Sequence, residues 1–226
     1  MRRISFAVMT LMLIATSASA QRRGRVFTSD PDGWVSFGIA GFTGNGVNDG
    51  RSDSQWDFGN STNWQYSASV EKTIGNSTSF GVAGTYARIP FTYYGGALPG
   101  TVQGATCGQC DAHLDMTTLV GTLHFGAGSG FHQVIEVNAG IVNYARLTRD
   151  SDRARLAGGS NTDPLLSGGW GFGYGFNDRT QIEFVPEYAI AIHERSGLSN
   201  QVSNTNRMQS LKLTFRMGFG ARSLSR

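Results

Sequence analysis

The sequence predicts an all-β chain: an eight-stranded antiparallel transmembrane β-barrel in an up-and-down meander. Three observations predict it. Eight stretches alternate polar and apolar residues with a period of two, as strands do when successive side chains point to opposite faces. The connections between them run long, short, long, short, long, short, long, as in barrels with tight turns on one side of a membrane and long loops on the other. Beyond the first 20 residues, no apolar run approaches the ~18–20 residues of a spanning helix, and no stretch carries a helical stripe.

The N-terminus sets the compartment. Met1-Arg2-Arg3 is a short basic stretch, Ile4 to Ala15 is mostly apolar, and Ala18-Ser19-Ala20 is an A-x-A cleavage site. Residues 1–20 are therefore expected to be a signal peptide, with 21–33 a periplasmic segment, 34–219 the barrel and 220–226 a tail. Arg2 and Arg3 are the only charges in 1–20, so cleavage leaves 17 basic and 16 acidic side chains, a net +1. The pI near 9.1 thus argues for no nucleic-acid partner, and no basic patch with interleaved aromatics is present.

The strands follow in order. In 34–42, Val35, Phe37 and Ile39 share one face, with Trp34 out of phase as an end effect. In 64–74, Trp64, Tyr66, Ala68, Val70 and Ile74 align, interrupted by Lys72. Gly75-Asn76-Ser77 is a tight turn by composition. The strand 78–88 sets Phe80, Val82 and Tyr86 outward. The strand 113–125 aligns Leu119, Leu123 and Phe125. In 131–142, Ile135, Val137, Ala139 and Ile141 lie opposite His132, Glu136 and Asn138. In 165–176, Leu166, Trp170, Phe172, Tyr174 and Phe176 lie opposite Ser167 and four glycines. In 180–192, Ile182, Phe184, Tyr188, Ile190 and Ile192 align, and Pro186 requires a bulge or an unpaired position. In 210–219, Leu211, Leu213, Phe215, Met217 and Phe219 oppose Ser210, Lys212, Thr214 and Arg216.

Which face meets lipid follows from the other one. The polar face is rich in Gly, Ala and Ser and poor in charge, which suits the interior of a narrow barrel rather than a solvated surface, so a soluble lipocalin-like barrel is the weaker reading. Aromatics cluster towards the strand ends, as belts at the membrane boundaries do. Trp34, Phe80, Phe125, Phe131, Phe176, Phe184 and Phe219 lie at the short-turn end; Trp64, Tyr66, Tyr86, Trp170 and Tyr188 lie nearer the long loops. Glu71, His124, His132, Glu136, Glu183, Glu187, Lys212 and Arg216 have lumen parity and are expected to form a polar network plugging the barrel. Pairing Glu183 with Arg216 keeps the same register as pairing Glu187 with Lys212.

A signal segment, eight amphipathic strands, sorted loops and a last strand ending at Phe219 together resemble the small outer-membrane β-barrels, the OmpA transmembrane domain and OmpX among them. The resemblance covers about 34–219 and departs at Gly220–Arg226, which follow the terminal aromatic where the family usually ends. It implies a cell outer membrane location in a Gram-negative envelope, and lipid and lipopolysaccharide as neighbours. It also implies insertion by the barrel-assembly machinery. The expected function is a non-enzymatic barrel whose loops meet an extracellular ligand or surface, or support the envelope. The alternatives are a narrow, porin-like channel for small solutes and a lipid A-modifying enzyme. For the enzyme, His193 and Ser196 invite comparison with barrel deacylases, but those use His-x-Ser. The His-x-x-Ser spacing here puts the two side chains on opposite faces of a strand.

Cys107 and Cys110, in the second long loop, are a candidate disulfide. Free thiols, thiols holding a metal with His113 and Asp111, and redox chemistry are the other readings. No phosphate-binding glycine loop is present. No catalytic residue, metal centre or cofactor is assigned.

Overall fold

A computed structural model describes residues 30–50, 52–59, 62–95, 107–158, 161–193 and 204–220. The expected signal segment, residues 21–29 and residues 221–226 lie outside the described residues. The described residues form ten strands: β1 (Gly33–Gly44), β2 (Val47–Asp49), β3 (Ser54–Asp57), β4 (Asn63–Thr73), β5 (Thr78–Gly95), β6 (Cys110–Phe125), β7 (Gly130–Arg149), β8 (Asn161–Asn177), β9 (Thr180–Ile192) and β10 (Thr205–Phe219). Eight of them close into an antiparallel barrel in the order β1-β4-β5-β6-β7-β8-β9-β10, and β10 pairs back onto β1 from Gly33↔Phe219 to Gly44↔Met208. Closure leaves no unpaired edge, which is what a strand assembly needs inside lipid.

The outer surface decides between membrane and soluble barrel. Phe37, Val70, Phe80, Val82, Leu119, Ile135, Leu166, Phe184, Leu213 and Phe215 are all exposed and run as an apolar band around the wall. A soluble monomer does not expose so large a contiguous apolar surface. The inner face at the same height carries Ser36, Thr122, Asn138, Ser167 and Thr214, all buried, and the half-buried Ser69. The fold is a transmembrane barrel.

The first long connection is not a plain loop. It contains the β2–β3 hairpin, paired Val47↔Trp56 to Asp49↔Ser54. Strand β3 then lies along β5, Ser54↔Gly95 to Asp57↔Thr92, continuing the edge that β4 occupies lower down. The other long-loop ends also run past their expected limits: β5 to Gly95, β7 to Arg149, β6 from Cys110, β8 from Asn161 and β10 from Thr205. Strand β7 takes an extra residue where the β6–β7 register shifts between His113 and Asp115. Arg146 adopts a φ of 55° there, and Leu147 turns inward and is buried.

One local expectation changes, and one of two alternatives is selected. The β9–β10 register pairs Arg216 with Gln181 and Lys212 with Val185, two residues from the register expected of the Glu–Arg and Glu–Lys pairs. Pro186 causes no bulge. The β8–β9 ladder runs to Gly169↔Glu187 and resumes in the same register at Phe172↔Phe184, and Pro186 sits in the gap.

Candidate functional site: two layers filling the lumen

At the short-turn end the lumen is ionic. Arg216, on β10, is 1% exposed and reaches across the barrel. Its Nη2 donates to Glu71 Oε2 at 2.6 Å and to Ser79 Oγ at 3.1 Å; its Nη1 donates to Glu183 Oε1 at 3.0 Å and lies 2.8 Å from the His124 ring nitrogens. Glu71 belongs to β4 and His124 to β6, the strand diametrically opposite β10, so one guanidinium ties the walls together. Arg can do this because its planar fork serves several acceptors at once. One layer up, Lys212 Nζ donates to Glu136 across the lumen and to Glu187 Oε2 at 3.2 Å. Asn138 Nδ2 donates to Ser167 Oγ at 3.1 Å beside them.

The structure places all eight expected lumen residues on the inner face, and seven of them make these contacts. His132 is the exception: its Nδ1 faces the Gly130 carbonyl at 3.0 Å and its Nε2 is buried without a hydrogen-bond partner. The Glu183–Arg216 and Glu187–Lys212 contacts form diagonally, despite the two-residue difference in register.

Trp34 is a correction. Expected in the short-turn belt, it is 3% exposed and turned inward, with Arg216 Cζ 4.9 Å from its ring centroid. Its phase is that of Ser36, Ala40 and Phe42, all buried, so the mismatch in the sequence reported a real inward position. Among the other belt residues, Trp64 (61% exposed), Tyr66, Phe80, Tyr86, Phe125, Phe131, Phe176, Phe184, Tyr188 and Phe219 are exposed on the wall. Trp170 is half-buried, its ring 5.2 Å from that of Phe172.

At the long-loop end the lumen is apolar, against the expectation of a polar plug throughout. Phe58, Phe91, Tyr93, Tyr144 and Trp56, which is 0% exposed, pack with Ile89, Leu114, Met116, Leu147 and Leu156. Trp56 contacts Tyr144 edge-on at 5.9 Å and Phe91 at 6.5 Å. Between the two layers lies a cavity of about 80 Å³, lined by Ser67, Ser69, Thr85, Thr118, Thr122 and Thr214 among others.

Set into the apolar layer is a buried polar knot that the sequence reading did not assemble. His193, 1% exposed, follows the end of β9 and stacks edge-on against Trp56 at 5.3 Å. Its Nδ1 lies 2.6 Å from Asp163 Oδ2, on β8; its Nε2 lies 3.4 Å from Asp49 Oδ1, on β2. Ser52 donates to Asp49 and lies 2.5 Å from Ser54 Oγ, which accepts from Trp56 Nε1 at 2.9 Å. Burial alone would push the imidazole pKa down. The hydrogen bonds and charges of Asp163 and Asp49 outweigh it and raise it to about 9, so His193 is an imidazolium at neutral pH. The knot ties the β2–β3 hairpin into the barrel mouth.

Cys107 and Cys110 form a disulfide, which removes both thiols from the alternative metal set. His113 instead lies 2.6 Å from Asp150 and contacts Arg88 on the outer surface. His124, Glu136 and Glu183 offer ligand atoms within 4.8 Å of one another, but Arg216 and Lys212 already hold them with positive charge. Ser196 lies outside the described residues.

No protein-family model matches the sequence, and no curated protein matches it. Among solved structures the chain is similar to Neisserial surface protein A, at a TM-score of 0.52 and 13% identity over 85% of this chain and 100% of that one. Outer membrane protein OprG of Pseudomonas aeruginosa aligns at 0.45 and 13% identity, over 85% and 98% of the two chains. Ail, the attachment invasion locus protein of Yersinia pestis, aligns at 0.41 and 12% identity, over 83% and 99%. The likeness is one of fold: these are small outer-membrane β-barrels.

Proposed function

We propose that this chain, built on the fold of the small outer-membrane β-barrels, is a non-enzymatic and non-conducting scaffold. It is exported by a cleavable signal peptide to the Gram-negative outer membrane, and its long-loop rim is the working surface. The observation that carries this reading is the filled lumen. The Arg216 network and Trp34 occupy one end and the Trp56 layer the other, with only about 80 Å³ between them. An eight-stranded barrel has room for side chains alone, and this one uses that room. What remains to act is the rim, held up by a stiff body.

The same geometry argues against the two alternatives. A solute path would have to pass both the buried ion pairs and the aromatic layer. A lipid A hydrolase would need His193 at the lipid-facing rim. His193 is buried inside the mouth, with carboxylates on both ring nitrogens.

Planar-bilayer recording of the purified chain tests the closed body: no stepwise ion current is expected, and sustained unitary currents would overturn the reading. N-terminal sequencing of the membrane-fractionated protein should begin at Gln21. Lipid A from expressing cells should keep its acyl pattern.

A further inference from the structure

A second cavity lies outside the lumen. It is an outward cleft of about 260 Å³ at the long-loop rim, lined by Asn45, Gly46, Asn48, Gln55, Thr205 and Arg207, with Val47 and Trp56 behind them. That volume is just under the ~300 Å³ at which small-ligand pockets begin, so it suits one sugar-sized group.

Its construction follows from the strands around it. The Asn45 N–H donates to the Arg207 carbonyl at 3.2 Å, extending the β1–β10 ladder one step beyond Gly44↔Met208. Gly46 then turns the chain with a φ of +101°, and a Cβ there would stand 2.1 Å from the Trp56 carbonyl oxygen. Only glycine allows β2 to come that close to β3. The hairpin forms the back wall, and the Trp56 ring points away from the cleft into the apolar layer.

The lining has a definite chemistry. Asn45 and Gln55 carry side-chain amides, each offering a donor and an acceptor together, which is what neighbouring sugar hydroxyls require. Arg207 is exposed, and no described residue forms an ion pair with it. A guanidinium in that setting takes a carboxylate or a phosphate through two parallel bonds.

Height is also fixed by register. Going up the outer face, Ile39↔Leu213 and Gly41↔Leu211 belong to the apolar band, Thr43↔Gln209 follows, and Asn45 lies beside Arg207. The cleft is thus four residues, about 13 Å along the strand, beyond Leu211. It stands clear of the acyl region, at the level of surface saccharides.

We propose that this cleft binds an acidic sugar, with Arg207 on the acid group and the amides of Asn45 and Gln55 on the ring hydroxyls. The proposal rests on the reading of the rim as the working surface and names its ligand class. The sugar can belong to a glycolipid in the same leaflet or to a glycan presented by another surface.

The test uses the full chain in detergent micelles, titrated calorimetrically with a uronic-acid tetrasaccharide and with its carboxyl-reduced, neutral counterpart. Lipopolysaccharide with and without its charged core sugars forms a second arm. Expected is binding of at least one acidic probe, with its uncharged counterpart weaker by roughly ten- to hundredfold, the factor a charge-assisted bond is worth. Arg207→Ala should lose a similar factor, and Arg207→Lys should recover part of it. Binding of the tetrasaccharide assigns the sugar to another surface; binding of core-bearing lipopolysaccharide alone assigns it to the same leaflet. Failure of both acidic probes, equal binding of the neutral probes, or unchanged binding by Arg207→Ala overturns the proposal. Heat-modifiable gel mobility of each variant shows that its barrel has assembled. A failed titration beside a closed bilayer recording removes the sugar site and leaves the scaffold reading standing.

Discussion

The two ends of the lumen are closed by opposite means. At the short-turn end, one arginine and one lysine hold four glutamates across the barrel, and every contact joins strands of the wall itself. At the long-loop end, the β2–β3 hairpin, paired to the wall along the top of β5 alone, adds Trp56 to an aromatic layer shared with wall strands and is tied across the mouth by an imidazolium between two aspartates. The first closure cannot open without disturbing the barrel. The second includes a hairpin joined to the wall along one short ladder, so it can fail locally while the rest of the wall stands. The difference teaches where stability and adaptability reside: the ionic layer fixes the wall, and the aromatic layer presents a surface.

The sharpest break in that comparison is Arg216→Ala. It leaves Glu71 and Glu183 buried without their shared cation, and loss of one partner from a buried ion pair costs about 3–5 kcal/mol. The urea midpoint of the barrel in lipid vesicles should fall accordingly. Adding Glu71→Gln and Glu183→Gln should restore much of it, because the stranded charges are then gone. Trp56→Ala removes comparable stabilisation, about 3 kcal/mol, from the apolar layer. Its effect should be local: faster protease cleavage within 45–59, with the barrel's heat-modifiable mobility unchanged. Equal loss of the whole barrel in both variants would erase the distinction between wall and insert.

His193 sharpens the same comparison through pH. Its pKa is raised from the ordinary 6.5 to about 9 in the folded chain. A raised pKa means that the folded state holds the proton more tightly. The stabilisation is therefore complete below about 6.5, declines above it, and is lost as pH passes through about 9. Protection of the hairpin from protease should hold at pH 6 and weaken steadily towards pH 9.5. His193→Ala should abolish that dependence and expose the hairpin at every pH, with a cost of about 2–3 kcal/mol to its closure. A flat protection profile in the wild type would remove His193 from the latch.

Much of this was legible in the sequence, and the part that was not has one physical cause. Inside the membrane the outer wall meets lipid, so Phe80, Val82 and Tyr86 read as the apolar face of β5. Above the membrane the same outer face meets water, and the apolar residues move to the inner face without any change in strand phase. Hence Arg88, Pro90 and Thr92 point out while Ile89, Phe91 and Tyr93 point in. Strand β6 shows the same inversion, from Leu114 and Met116 inward to Leu119 outward. A strand that swaps its apolar face at the membrane edge looks, in sequence, like a strand that ends. That is why 89–112 read as loop, and why the aromatic layer was missed. The inversion between Tyr86 and Ile89 was the signal that could have found it. Trp34 was missed for a different reason: its inward phase was visible, but its size suggested a belt. The Asp49–His193–Asp163 knot had no local pattern, since its residues come from three distant segments joined only by barrel closure.

The smallest expected effect concerns the rim outside both layers. Cys107 and Cys110 enclose only two residues, and the bridge immediately precedes and begins β6. Closing so short a segment removes little freedom from the unfolded chain, so Cys107→Ser should cost no more than about 2 kcal/mol. The loss should be confined to the start of β6, where Cys110 pairs with Tyr93 and Gly95 N–H donates to the Cys107 carbonyl at 3.0 Å. Amide hydrogen exchange should quicken at Gly95 and the first residues of β6 while the amides of Leu119, Leu123 and Phe125 stay protected. Faster exchange reaching those lower residues would mean that the rim and the wall unfold as one unit, and the separation drawn between the two ends of the lumen would have to be abandoned.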